Sequence, residues 1–224
     1  MSLSSAIVPG CYELSPEDPG HEWAINFLVQ KMRGQAHLDE IKVWTIFNPL
    51  VTNQFNHRCR VLYDKNGYSN KDLMFHGTTW AKAQEFAVTG FTIPALRPER
   101  TRLAGANLYF ERNPFKAMQY SMPNTRISDH VTYTLMITEV ALGAVQTYEY
   151  PDHEDVLYGR VKLRPVRIAG LYDSLAINTS SRDEAVVPRP DQTRPLFVVR
   201  FKWANVKTPI LTFADDLAQM NSSR

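Results

Sequence analysis

Apolar positions along the chain fall into short runs punctuated by Pro, Gly and Asn, and the runs become strand-like toward the C-terminal half. From Glu22 to about Met32, Trp23, Phe27 and Leu28 recur near helical spacing, with Gly34 placed to end the helix. The segment Ile41 to Phe47, IKVWTIF, reads as a strand stopped by Asn48-Pro49, after which Leu50, Phe55, Val61 and Leu62 continue on a second helix. LMFHGTT has three apolar residues before His76-Gly77 and reads as a buried strand running out into a tight turn. A short helix over Trp80 to Val88 then ends at Gly90. IPALRPERTRLAGAN is a long Pro- and Arg-bearing loop, Leu108-Tyr109-Phe110 a short strand, and Pro114 the start of a helix carrying Phe115, Met118 and Tyr120.

The last hundred residues are β-rich: VTYTLMITEV alternates, VLYG and VKLRPVRIAGLYD add strands, and PLFVVRFKW is the strongest late candidate. Residues 1–20, rich in Pro, Gly and Ser, read as an irregular lead-in or a strap on the body. No repeat, low-complexity tract or linker divides the chain. It reads as a single α+β or mixed-sheet domain with a compact β core.

Composition narrows the function classes. At 224 residues, with 44% apolar and 21% charged positions, the chain can bury a sizeable core, which excludes disorder as its dominant state. A net charge of +2 argues against broad nucleic-acid coating while permitting a local patch. Cys11 and Cys59 allow at most one disulfide and no four-cysteine knuckle. His57-x-Cys59 is too sparse for a closed zinc site, even with Cys11 and His153 recruited, so no metal is expected. No window approaches the roughly 20 apolar residues that cross a bilayer, and no basic start precedes an apolar run. Cytoplasm or nucleus is the expected location, with a secreted effector as the alternative and no membrane partner.

Three places carry more polar and glycine detail than a core requires. His76 stands at a strand end before Gly77-Thr78-Thr79, where an imidazole can meet a ligand hydroxyl and a glycine lets a planar group lie against bare backbone. The alternative is a satisfied strand-end histidine. Tyr109 and Tyr120 lie eleven positions apart across a strand-to-helix junction, a spacing that suits two rings lining one cleft or simple core packing. Glu184 precedes Ala185-Val186-Val187, where a carboxylate can hold a ribose hydroxyl and favour developing positive charge, or merely be solvated. Arg97, Arg100 and Arg102 fit phosphates or a solvated loop equally. The phosphate-loop, Gly-x-Gly-x-x-Gly and Gly-x-Ser-x-Gly patterns are absent, so a dinucleotide would bind in another way and no serine elbow supports acyl transfer.

Taken in order over Ile41 to Phe201, these segments resemble the catalytic domain of the poly(ADP-ribose) polymerase family, the diphtheria-toxin-like ADP-ribosyltransferases. IFNPLVTNQF keeps the Asn48, Pro49 and Phe55 of a family segment, and His76-Gly77-Thr78 matches the His-Gly-Ser/Thr motif. GANLYFERNPFKAMQY matches a Gly-x-Tyr-Phe strand followed by a second tyrosine, Tyr172-Asp173-Ser174 supplies a YDS segment, and EAVVPRPDQTRPLFVVRF places Glu184 on the triad glutamate. The chain departs from the pattern at Ala117 for a serine, Asn107 for a glycine, Ala185 for an aromatic and Thr92 for an arginine.

The resemblance implies two twisted, mostly antiparallel sheets around an NAD+ cleft, within an arrangement of strap and helix over 1–35, catalytic domain over 36–205 and C-terminal tail over 206–224. It implies a His76, Tyr109 and Glu184 triad. NAD+ would be held by His76, Gly77, Thr78, Tyr109, Ala117, Tyr120 and Arg97, with Lys116 on the acceptor side and no metal. The implied activity is transfer of ADP-ribose from NAD+ to a protein acceptor, singly or as polymer, and a monomer is expected. The alternatives are a DNA or RNA acceptor met by Arg164, Arg167 and Arg189, NAD+ hydrolysis, and an NAD+ or ADP-ribose binding module with little activity. The chain before the catalytic body has no room for a regulatory helical domain, so constitutive activity is expected unless a partner or the strap covers the cleft.

Overall fold

The computed structural model describes residues 8–33, 37–95, 103–121, 131–149, 166–178 and 183–204. Among the described residues, four α-helices and nine strands follow one another as β1 (Gly10–Glu13), α1 (Pro19–Lys31), β2 (His37–Phe47), α2 (Pro49–Asn66), β3 (Lys71–Gly77), α3 (Trp80–Thr89), β4 (Leu108–Glu111), α4 (Pro114–Ser121), β5 (Thr132–Ala141), β6 (Val145–Glu149), β7 (Ser174–Asn178), β8 (Asp183–Val187) and β9 (Thr193–Ala204). Their boundaries follow local chemistry. Asn48 caps α2 by accepting from Val51 N at 3.1 Å, with Pro49 in the first turn, where no amide partner is needed. Gly67, at φ 78°, closes the other end through a bond from its N–H to Tyr63 O at 2.7 Å. Asp18 caps α1 through Gly20 N, and Thr79 caps α3 through Lys82 N.

The strands lie in the order β1-β2-β9-β5-β3-β4-β8-β7-β6, antiparallel except for the β6–β7 pair. The fold is thus α+β with a mixed, largely antiparallel sheet. Strands β3 and β4 join at a single residue pair, Phe75 with Glu111, so five strands and four strands meet at one narrow seam. A second tie crosses that seam: Arg112 Nε donates to Asp72 of β3 at 2.6 Å, and Arg112 Nη1 to Asp183 of β8 at 2.5 Å.

Strand β5 lies between β3 and β9 and is buried along almost its whole length, because apolar layers cover both faces. Leu135 and Ile137 join Leu28, Met32, Phe75, Met118 and Phe201 on the side of α1 and α4. Met136 and Val140 join Trp44, Met74, Phe91 and Phe110 on the side of α3. Burial of each large side chain contributes about 1.5–3 kcal/mol, and the two-sided covering explains why β5 reads as a nearly continuous apolar run.

Three sequence readings need correction. Residues 10–13 are a strand paired with β2, not irregular lead-in. Residues 166–173 of the VKLRPVRIAGLYD segment form no strand, and pairing starts at Ser174, where backbone amides find β6 and β8. Strand β6 was not foreseen, because VQTYE is half-exposed and lacks an apolar face. VLYG, Gly34 and His153 lie outside the described residues. Cys11 and Cys59 are free thiols, each with its pKa raised by burial. Among the described residues no helix is long and apolar enough to cross a membrane, and no cluster of three His, Cys, Asp or Glu is arranged to hold a metal.

Candidate active site

The end of β3 touches helix α4 backbone to backbone. A Cβ at Gly77 would lie 1.7 Å from Ala117 O and 2.6 Å from Ala117 C, so position 77 admits only glycine at this separation. Ala117 is fully buried there, which also demands a small residue on the helix side. The next residue, Thr78, donates its N–H to Thr134 O at 3.2 Å, and Ser121 Oγ donates to the same carbonyl at 2.6 Å. Both anchor the turn and the helix end to β5.

His76 alternates with Phe75 and Gly77 and so projects to the other side of β3. Its Nδ1 is 3.0 Å from Tyr109 O. A carbonyl only accepts, so Nδ1 carries a proton and donates it in this contact. The ring is held edge-on by Phe86 and Phe91, at centroid distances of 6.0 and 5.0 Å, and lies against Phe110 at 5.5 Å. The imidazole therefore spans the gap where β3 and β4 part.

Strands β4 and β8 form the opposite wall. Tyr109 and Glu111 point to one face of β4, and their cross-strand partners on β8 are Val186 and Glu184. Arg112 N donates to Asp183 O at 3.0 Å, which makes Arg112/Asp183 a hydrogen-bonded pair. By the alternation of an antiparallel ladder, Glu111/Glu184 is the narrow, non-hydrogen-bonded kind, with Cα atoms about 4.5 Å apart. Both carboxylates are buried, Glu111 at 2% and Glu184 at 6% exposure. Half-buried Tyr109 is pinned by its hydroxyl, which accepts from Ala104 N and donates to Gly105 O, each at 3.0 Å. On α4, Lys116 Nζ donates to Gln119 Oε1 at 3.0 Å and sits 5.2 Å over the ring of half-exposed Tyr120.

Residues 23–194 match the family description "Poly(ADP-ribose) polymerase catalytic domain". The chain belongs to that family. No curated protein matches the chain. For a poly(ADP-ribose) polymerase catalytic domain, the arrangement gathers the sequence-derived residues on neighbouring elements. His76, Gly77 and Thr78 lie at the end of β3, Tyr109 on β4, Lys116, Ala117 and Tyr120 on α4, and Glu184 on β8. Arg97, Arg100, Arg102 and Arg164 lie outside the described residues. Arg189 pairs with Asp191 beside the turn before β9, and Arg167 is exposed.

Sequence reasoning missed Glu111 and the Asp72–Arg112–Asp183 clamp. Glu111 lies two residues after Tyr109, which already places it on Tyr109's face of a strand. Its position opposite Glu184 depends on the register of a strand more than 70 residues away. Arg112 keeps its charge despite partial burial, which opposes it, because its bonds to Asp72 and Asp183 raise the guanidinium pKa.

Proposed function

We propose that the domain cleaves the nicotinamide–ribose bond of NAD+ and transfers ADP-ribose to a nucleophile on a protein acceptor. The observation that carries this reading is the burial of Glu184 beside Tyr109 on one face of the β4–β8 pair, in a chain of this family. The nicotinamide amide would bond to the backbone of Gly77, where only a glycine permits the close approach of β3 and α4. Tyr120 would stack on the nicotinamide ring, Tyr109 would form the opposite wall, and His76 with Thr78 would meet the adenosine ribose. The dinucleotide would lie in a cleft where β3 and β4 part beyond their single pair, Phe75 with Glu111.

The chemistry follows from charge. As the glycosidic bond breaks, its electron pair moves to the pyridinium nitrogen, nicotinamide leaves neutral, and the ribose acquires oxocarbenium character. A fixed carboxylate accepting from the ribose 2′-hydroxyl favours charge that exists only in the transition state. The nucleophile's lone pair then forms the bond to the anomeric carbon, and its proton leaves to solvent or to a carboxylate of the site. In a buried setting such a group is worth about 100- to 1,000-fold in rate.

The test is nicotinamide release and product analysis with purified protein, Glu184→Gln (E184Q) run beside the parent. We expect release to fall by about 100- to 1,000-fold in E184Q while the dissociation constant for NAD+ changes only a few-fold. Free ADP-ribose as the dominant product in the presence of acceptor proteins assigns hydrolysis instead. Binding without release in the parent protein overturns the catalytic reading.

A further inference from the structure

We infer that Arg200 is the centre of a phosphate-binding site on the α3 side of the sheet, where it takes a phosphate group of the donor's own diphosphate or of a separate ligand. The inference goes beyond the reaction proposed above and uses no step of it. Strand pairing fixes the face. Arg200 of β9 lies directly between Lys42 of β2 and Thr134 of β5. The neighbouring row, two positions along each strand, is Trp44, Val198, Met136 and His76. Direct partners and residues two apart share a face, so Lys42, Arg200 and Lys202 project to the side on which Trp44, Met136 and His76 lie. The Thr134 carbonyl accepts from Thr78 N at 3.2 Å, which places the spot one strand away from the His76-Gly77-Thr78 turn.

The guanidinium lies against aromatic rings and meets no carboxylate. Its carbon is 4.9 Å from the Trp80 ring centroid and 5.9 Å from that of Trp44, and the two indoles touch at 4.5 Å. Its Nε is buried with no hydrogen-bond partner, while the residue as a whole is only half-buried. The two lysines of the face do have counter-ions: Lys42 pairs with Glu13 at 3.0 Å and Lys202 with Glu40 at 2.7 Å. Among the described residues Arg200 has no ion pair and no hydrogen bond, so its positive charge is left over on this face. Arg112, also partly buried, shows the contrast, with a fork to two aspartates. Rings attract a guanidinium over its flat faces, but its N–H donors lie in the plane and need acceptors. An oxyanion meets that fork with two parallel bonds. With Lys42 directly across and Lys202 two residues on, the local field favours a multiply charged phosphate over a carboxylate. Trp80 is also the first residue of α3, so the end of that helix that favours anions borders the same spot.

The test is an NMR titration of the isotope-labelled whole chain with sodium pyrophosphate, following the Arg200 Nε–H and the Trp44 and Trp80 indole N–H resonances, with sodium acetate at matched ionic strength beside it. The expected result is a saturable shift of these resonances with pyrophosphate and none with acetate. Arg200→Gln (R200Q) should weaken pyrophosphate binding by about 10- to 100-fold, the loss of a charge-assisted fork. Arg200→Lys (R200K) keeps the charge without the fork and should lose about tenfold; it carries the comparison if R200Q does not fold. Arg189→Gln (R189Q) removes an exposed arginine already paired with Asp191 and should leave the affinity within about twofold. Addition of NAD+ separates the two sources. Competition with pyrophosphate assigns the donor's diphosphate, and simultaneous binding assigns a separate phosphate ligand. No saturable shift, an equal response to acetate, or equal losses in R200Q and R189Q overturn the inference. Because the titration reads no turnover, a parent protein that binds pyrophosphate at Arg200 but releases no nicotinamide sinks the transferase reading alone.

Discussion

Replacing Gly77 with alanine tests the contact on which the site is built. The added Cβ would fall 1.7 Å from Ala117 O. A carbon–oxygen contact settles at about 3.3 Å, so β3 and α4 must part by about 1.6 Å. Neither side yields by rotating a side chain, because the obstructing atoms are backbone. Overpacking in a well-packed site costs about 1–3 kcal/mol, and this case belongs at the upper end because α4 is tied to β5 through Ser121 and Thr134. About 3 kcal/mol in a domain of this size lowers Tm by about 6–12 °C. Thermal unfolding and calorimetric titration with NAD+ read both effects, and binding should weaken at least tenfold because Gly77 and Tyr120 separate. Ala117→Gly should not rescue Gly77→Ala, because the atom in the way is a carbonyl oxygen that every residue carries. A Gly77→Ala protein with unchanged Tm and unchanged NAD+ affinity would refute the reasoning.

Other outcomes follow from single residues. Asp173 is buried at 5% exposure and accepts from Lys65 at 2.9 Å, Asn66 at 2.8 Å and Ala144 N at 3.1 Å. Burial pushes its pKa up, but these bonds outweigh it and hold it below the ordinary aspartate value. The stability it contributes is therefore present above the unfolded value near 3.9 and is lost as pH falls through the folded one; Asp173→Asn should cost about 2–3 kcal/mol at pH 7 in urea titrations, with the gap closing in acid. Asn48 both caps α2 and donates Nδ2 to Ala87 O and Val88 O at 3.1 and 2.7 Å, so Asn48→Asp, although a good cap, should destabilise by about 1–3 kcal/mol because it cannot donate; equal chemical stability contradicts this. Arg112→Lys should lower nicotinamide release while leaving a folded protein, since an ammonium cannot reproduce the fork to Asp72 and Asp183; activity equal to the parent counts against the clamp.

Much of the site was legible where chemistry and local geometry coincide. His76-Gly77-Thr78 stood out because a polar residue and a glycine end an apolar strand, and the turn lies there. The helix limits at Asn48-Pro49 and Gly90 follow from a cap and a positive φ, which are local. Less legible were strands whose only warrant is a partner. β1 and β6 are short and half-exposed, and they exist because β2 and β7 supply their hydrogen bonds.

The sequence by itself determined the α+β class, the order of the helices and central strands, and the family, because periodicity, capping residues and motif spacing are properties of neighbouring positions. Only the tertiary structure decided that Glu111 faces Glu184, that Gly77 is pressed onto the Ala117 backbone, and that Arg112 bridges two aspartates across the seam. Those facts depend on strand order and register. A one-residue slip of β8 against β4 would turn every one of its side chains to the other face, and no local pattern in DEAVV specifies that choice. It is set by burial of Val186 and Ala185 in separate apolar layers, which form only when the whole sheet is assembled.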